Sequence, residues 1–135
     1  MENRPSLVPE LLVSNLAASL QFWVDLVGFS VLYDRPEEGF SYLVLGRAEV
    51  MLEECNPAFR QWVTASLDAP FGRGINFQID VPDLDRVLQR LHVAAYPLFM
   101  APETKSYRIN DGEVHQRQFL LQDPDGYLLR LCQSG

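Results

Sequence analysis

Arg117-Gln118-Phe119-Leu120-Leu121-Gln122-Asp123-Pro124-Asp125-Gly126-Tyr127-Leu128-Leu129-Arg130 decides the fold. Two apolar arms flank a four-residue turn. Asp and Pro favour the turn, and Gly supplies the positive φ that closes it. The arms read as strands over Gln116 to Gln122 and Tyr127 to Gln133. Upstream, Asn76 to Val81 is strand-like. Asp83 is placed to cap a helix that carries Leu84, Val87, Leu88 and Leu91 on one face. Ala95 to Met100 reads as one more strand, and Ala101 to Glu113 as a polar loop able to cover a site. The order is β-α-β-β-β.

The first half repeats it. Glu10 to Val13 is a short strand, and Ser14 and Asn15 are cap candidates. Leu16, Leu20, Trp23, Val24 and Val27 recur at helical spacing before Gly28. Ser30 to Tyr33, Phe40 to Leu45 and Ala48 to Glu53 follow as strands. Val13-Ser14-Asn15-Leu16 superposes on Val81-Pro82-Asp83-Leu84. We therefore expect a single α+β domain over residues 1–135. Its modules run about 7–54 and 75–133, and 55–74 links them. In the link, Asn56 to Trp62 reads as a short helix with Pro57 at its first position.

Composition narrows the function. The chain has 135 residues and a net charge of −7, which argues against a nucleic-acid partner. No apolar run spans a bilayer, so no membrane partner is expected. Residues 1–5 show no basic stretch followed by an apolar one, and no secretory signal is read there. Cys55 and Cys132 make no disulfide framework, which suits a reducing cytoplasm. Residues 1–68 hold ten acids and four bases, so that half is where a cationic ligand is drawn. No Gly-rich phosphate loop or nucleophile–base pair is legible. His92 reads as an exposed helix residue.

Several aromatics are placed to meet a ligand. Phe40 and Tyr42 are two apart on one strand and share a face, although they read equally well as sheet core. Tyr107 and Arg108 lie in the polar loop, and Trp62 lies in the link.

The paired modules resemble the vicinal-oxygen-chelate superfamily, and within it the bleomycin-resistance and glyoxalase-like proteins. The stretches that carry the likeness are Val8-Pro9, Val13-Ser14-Asn15-Leu16, Phe22-Trp23, Leu26-Val27-Gly28-Phe29, Glu49-Val50-Met51-Leu52-Glu53 and the opening Arg117 to Arg130 segment. The resemblance implies two modules forming a curved mixed sheet around a cavity. It also implies a homodimer with a drug in each cleft, and Pro9 near a swapped N-terminal strand. Enzymes of that superfamily hold a metal at positions that fall here on Val8, Glu49, Asn76 and Arg130. Val does not ligate and Arg repels a cation, so no metal and no cofactor are expected. Glu10 replaces Val8 if the register shifts by two. Glu49 and Arg130 are the residues expected to pair across the former metal position. His115 stands where drug-binding relatives carry a stacking Trp.

The expected ligand-binding set is Phe40, Tyr42, Glu49, Met51, Trp62, Asn76, Tyr107, Arg108, His115 and Arg130. The function this resemblance implies is metal-free sequestration of a cationic aromatic antibiotic or similar compound, of bleomycin-like class, in a dimer cleft. The alternative is a metal-dependent lyase or dioxygenase of the same superfamily.

Overall fold

The computed structural model describes residues 4–134. Met1 to Asn3, part of the stretch read for a leader, and Gly135 lie outside the described residues. Eight strands form two four-stranded mixed sheets of identical order, β1-β4-β3-β2 and β5-β8-β7-β6. The chain divides between Ala69 and Pro70 into two compact units, one sheet in each.

In the first unit, β1 (Glu10–Val13) runs parallel to β4 (Ala48–Glu54). Antiparallel pairing then adds β3 (Phe40–Leu45) and β2 (Ser30–Arg35). One face is apolar: Leu11, Val13, Leu43, Val50 and Leu52 are all buried. It packs with the helical segment that crosses between β1 and β2. Asn15 caps α1 (Leu16–Leu20) by accepting from the Ala18 N–H at 3.0 Å. Glu54 accepts from the next free donor, Leu16 N, at 2.8 Å. The periodicity predicts one α-helix to Gly28. Instead the chain widens to a π-helix over Gln21–Val27 before Gly28 closes it at φ 114°. Phe22 and Trp23 are adjacent large rings, both buried, and the wider winding broadens the face that holds them.

The second unit repeats this plan with β5 (Asn76–Asp80), β8 (Leu128–Ser134), β7 (Gly112–Gln122) and β6 (Met100–Ile109). Asp83 caps α2 (Leu84–Val93), which buries Leu84, Val87 and Leu91. Leu129, Leu131, Phe119 and Leu121 form the buried side of the sheet. The Asp123 carboxylate accepts from the N–H groups of Asp125, Gly126 and Tyr127 at 2.9–3.0 Å, which fixes the turn.

Three local expectations are corrected. Asn56 to Trp62 is a turn, not a helix. Asn56 accepts from Ala58 N through its side chain and from Phe59 N through its carbonyl. Seven residues have too few bonds to offset helix nucleation, and Gln61 folds back onto Asn56 N, Glu53 and the Glu54 carbonyl instead. Ala95 to Met100 is not a strand. Ala95 takes φ 53°, and bonds from Ala95 N and Tyr96 N close the end of α2, so β6 starts only at Met100. Ala101 to Glu113 is not a loop. It belongs to a long β6–β7 hairpin turned at Asn110-Asp111, with Asn110 at φ 52°. Pro102 is tolerated because β6 is an edge strand and its register shifts between Met100 and Glu103.

The other long edge, β2, leaves Val31 and Leu32 exposed at 43% and 42%. Among the described residues no helix is long and apolar enough to cross a membrane.

Candidate functional site

Each sheet has a second face, turned away from its helix. In the first unit, strand alternation and register bring Glu10, Glu49, Met51, Glu53, Phe40, Tyr42, Tyr33 and Arg35 to it. Tyr33 stacks on Tyr42 with centroids 5.0 Å apart and rings 19° from parallel, and lies 6.0 Å from Phe40. The Arg35 guanidinium sits 4.0 Å from the Phe40 centroid. This is a cation–π contact on a ring that is otherwise buried.

Glu49 is held at both oxygens. Tyr42 donates its hydroxyl to Oε1 at 2.6 Å, and Arg4 lies 3.1 Å from Oε2. The Glu49 side chain is only 4% exposed. The hydrogen bond to Glu49, and then burial, push the Tyr42 phenol up to about 12. Glu10 is raised above the ordinary carboxylate value, first by burial and then by Glu53, with Arg35 opposing. Glu10 pairs in register with Met51, which places it on this face.

In the second unit the corresponding face carries Asn76, Gln78, Gln118, Leu120, Leu128, Arg130 and Tyr107. Gln118 is buried and fully used. Its amide donates to Tyr107 Oη at 2.7 Å and Glu103 Oε2 at 3.0 Å, and accepts from Gln116 at 2.9 Å. Arg130 has an enclosed Nε with no hydrogen-bond partner among the described residues. Cys132, beside it, is pushed up by burial and then by Asp80, with Arg130 opposing.

The expected set is thus sorted by face. Phe40, Tyr42, Glu49 and Met51 come together on the first sheet; Asn76, Tyr107 and Arg130 share a face of the second. Arg108 and His115 point to the opposite side of the hairpin from Tyr107. His115 meets Ser106 Oγ at 2.7 Å, and Arg108 meets the Asn110 carbonyl at 3.3 Å. Trp62 is exposed in the linking turn beneath Arg60, 5.3 Å from its guanidinium. Within the first unit Glu49 already meets Arg4 and Tyr42, one at each oxygen. Sequence reasoning missed Tyr33, Arg35 and Arg4. Tyr33 and Arg35 alternate like Phe40 and Tyr42, and that signal was present.

Comparison with known proteins supplies the family. The model of the Glyoxalase/Bleomycin resistance protein/Dioxygenase superfamily matches residues 7–131. The chain belongs to this superfamily. A bleomycin resistance protein from Geobacillus stearothermophilus is 26% identical, with 94% of this chain and 95% of that protein covered. TioX from Micromonospora sp. ML1 has the same fold, with a TM-score of 0.73, 18% identity, and 97% and 99% of the two chains covered. A superfamily member from Vibrio splendidus is 42% identical over 93% of this chain and 95% of its own, with a TM-score of 0.44.

Superfamily membership raises the question of a metal, since its name spans glyoxalases and dioxygenases as well as resistance proteins. The residues present do not fit one. Val8 offers no donor and Arg130 is a fixed cation. In the first unit Glu49 has both oxygens engaged, and Glu10, the carboxylate that a shifted register would supply, has the Arg35 cation acting on it. Among the described residues no three His, Cys, Asp or Glu side chains group as a metal site requires.

Proposed function

We propose that this chain binds a flat, cationic aromatic molecule and holds it unchanged, as a homodimer. The observation that carries the reading is Arg35 over Phe40. The first sheet already seats a planar cation of its own on an aromatic ladder, with its Nε 3.1 Å from Glu38 and its charge acting on Glu10. An incoming heteroaromatic cation of similar shape meets the same ring faces and carboxylates once Arg35 swings away. Stacking and charge contacts of this kind are each worth about 0.5–2 kcal/mol, so several must act together for useful affinity. Sequestration needs no reacting group, which agrees with a donor set unsuited to a metal. The bleomycin resistance relative gives the first compound to try.

The test is calorimetric titration of the purified chain with metal-free bleomycin at low and moderate salt. Light scattering gives the oligomeric state alongside. The expected result is saturable binding near one drug per chain, weakened by salt, on a dimer. Arg35→Ala is expected to tighten binding by removing the competing cation. No heat at about 100 μM drug, an affinity weaker than roughly −5.5 kcal/mol, overturns bleomycin as the ligand. Stoichiometric metal after purification without chelator overturns the metal-free reading.

A further inference from the structure

The second sheet holds a charged group that the cationic-ligand reading leaves unused. Arg130 lies on β8, with Gln78 of β5 directly opposite it on one side and Leu120 of β7 on the other. Its Nε is enclosed and makes no hydrogen bond among the described residues. Acids are nearby in register but serve elsewhere. Glu103 Oε2 accepts from Gln118. Asp80 is paired in register with Cys132, whose thiol approaches it at 4.0 Å. An enclosed guanidinium N–H without an acceptor is costly, and folded proteins rarely leave one so.

The surroundings define what would complete it. Gln78 and Asn76 are exposed carboxamides on the adjoining edge strand, with no hydrogen bond among the described residues. Leu120 and Leu128 are half-buried on the same face. A guanidinium with flanking amide donors suits a planar oxyanion, and the leucines suit an apolar body attached to it.

We propose that Arg130, with Gln78 and Asn76, forms a subsite on the second sheet for the carboxylate of a small apolar acid. The subsite does not rest on the cationic-ligand reading, which concerns the first sheet.

The test titrates the full chain with 2-naphthoate and with its uncharged counterpart, 2-naphthamide. Naphthoate is expected to bind saturably, at least about tenfold tighter than the amide, as a charge-assisted bond implies. Arg130→Gln is expected to abolish that difference, and Gln78→Ala to reduce it several-fold. The ¹⁵N–¹H signal of Arg130 Nε, identified by its loss in Arg130→Gln, should move with naphthoate only. Arg130→Met removes an unsatisfied donor, so its melting temperature should equal or exceed the parent's. That keeps misfolding from imitating lost binding. Equal affinity for acid and amide, naphthoate binding that survives Arg130→Gln, or no binding at millimolar probe overturns the subsite. The enclosed Nε is then an unsatisfied donor and no binding group. Bleomycin binding that persists beside such a failure leaves the first-sheet reading standing.

Discussion

Replacing Tyr42 by Phe removes one oxygen and tests how the first sheet holds its buried carboxylate. The hydroxyl donates to Glu49 at 2.6 Å, and both side chains are nearly inaccessible to water. A hydrogen bond to a charged group contributes about 1.5–3 kcal/mol when its loss leaves the charge unsolvated. For a chain of this length that is a fall of about 5–10 °C in melting temperature. The other partner, Arg4, has a side chain 35% exposed. Arg4→Ala should therefore cost less than about 1 kcal/mol. Of the two groups that hold Glu49, the phenol should contribute more than the guanidinium. Urea unfolding of Tyr42→Phe, Glu49→Met and the double variant reads the coupling directly. In the Glu49→Met background, loss of the hydroxyl should cost little. A Tyr42→Phe variant within about 0.5 kcal/mol of the parent, or an equal cost in both backgrounds, refutes the reasoning.

Three more outcomes follow from the same structure. Tyr42 and Tyr96 are both pushed up to about 12, Tyr96 by burial and then by Asp123. The native chain thus holds these protons more tightly than the unfolded one. Their stabilisation is complete below about pH 10 and is lost as pH rises through about 12. Tyr42→Phe and Tyr96→Phe should each remove tyrosinate absorbance that rises only near pH 12, and absorbance lost from near pH 10 contradicts the assignment. Glu10 is also raised, so its charge costs stability at neutral pH. Glu10→Gln should raise the urea midpoint at pH 7 and lose that advantage below about pH 4; a loss of stability at pH 7 argues against it. Gly126 sits at φ 105°, where a Cβ would lie 2.5 Å from Pro70 Cβ and 2.6 Å from its Cα. Gly126→Ala should cost about 3 kcal/mol or more, and a variant of parental stability would show that the turn moves.

Where apolar residues alternate or recur, the fold was legible. The strands at Glu10–Val13 and Phe40–Leu45 and the caps at Asn15 and Asp83 stand where periodicity and side-chain chemistry put them. The outer part of the β6–β7 hairpin was not legible because β6 beyond Met100 and the start of β7 are exposed on nearly every residue, leaving no burial period to read. The end of α2 was hidden because Ala95, rather than glycine, takes the left-handed turn. The site followed the same rule. Phe40 and Tyr42 share a face by spacing alone. Whether His115 joins Tyr107 depends on the length of the turn between them, since one residue of register moves a side chain across the sheet. Arg35 reaches Phe40 only through a register that shifts between Val31 and Tyr33.

The four sheet edges carry unequal risks of self-association into aggregates. β1 and β5 are four and five residues long. β6 is ten residues long but interrupted by Pro102 and studded with Glu103, Lys105 and Arg108. Such features discourage a foreign strand from docking. β2 offers adjacent exposed Val31 and Leu32, and its charged residues, Asp34 and Arg35, come only at its far end. During concentration or heating, precipitation should begin at that edge. A lysine at position 31 would lengthen the solution lifetime of the protein without touching the aromatic ladder one residue beyond Leu32.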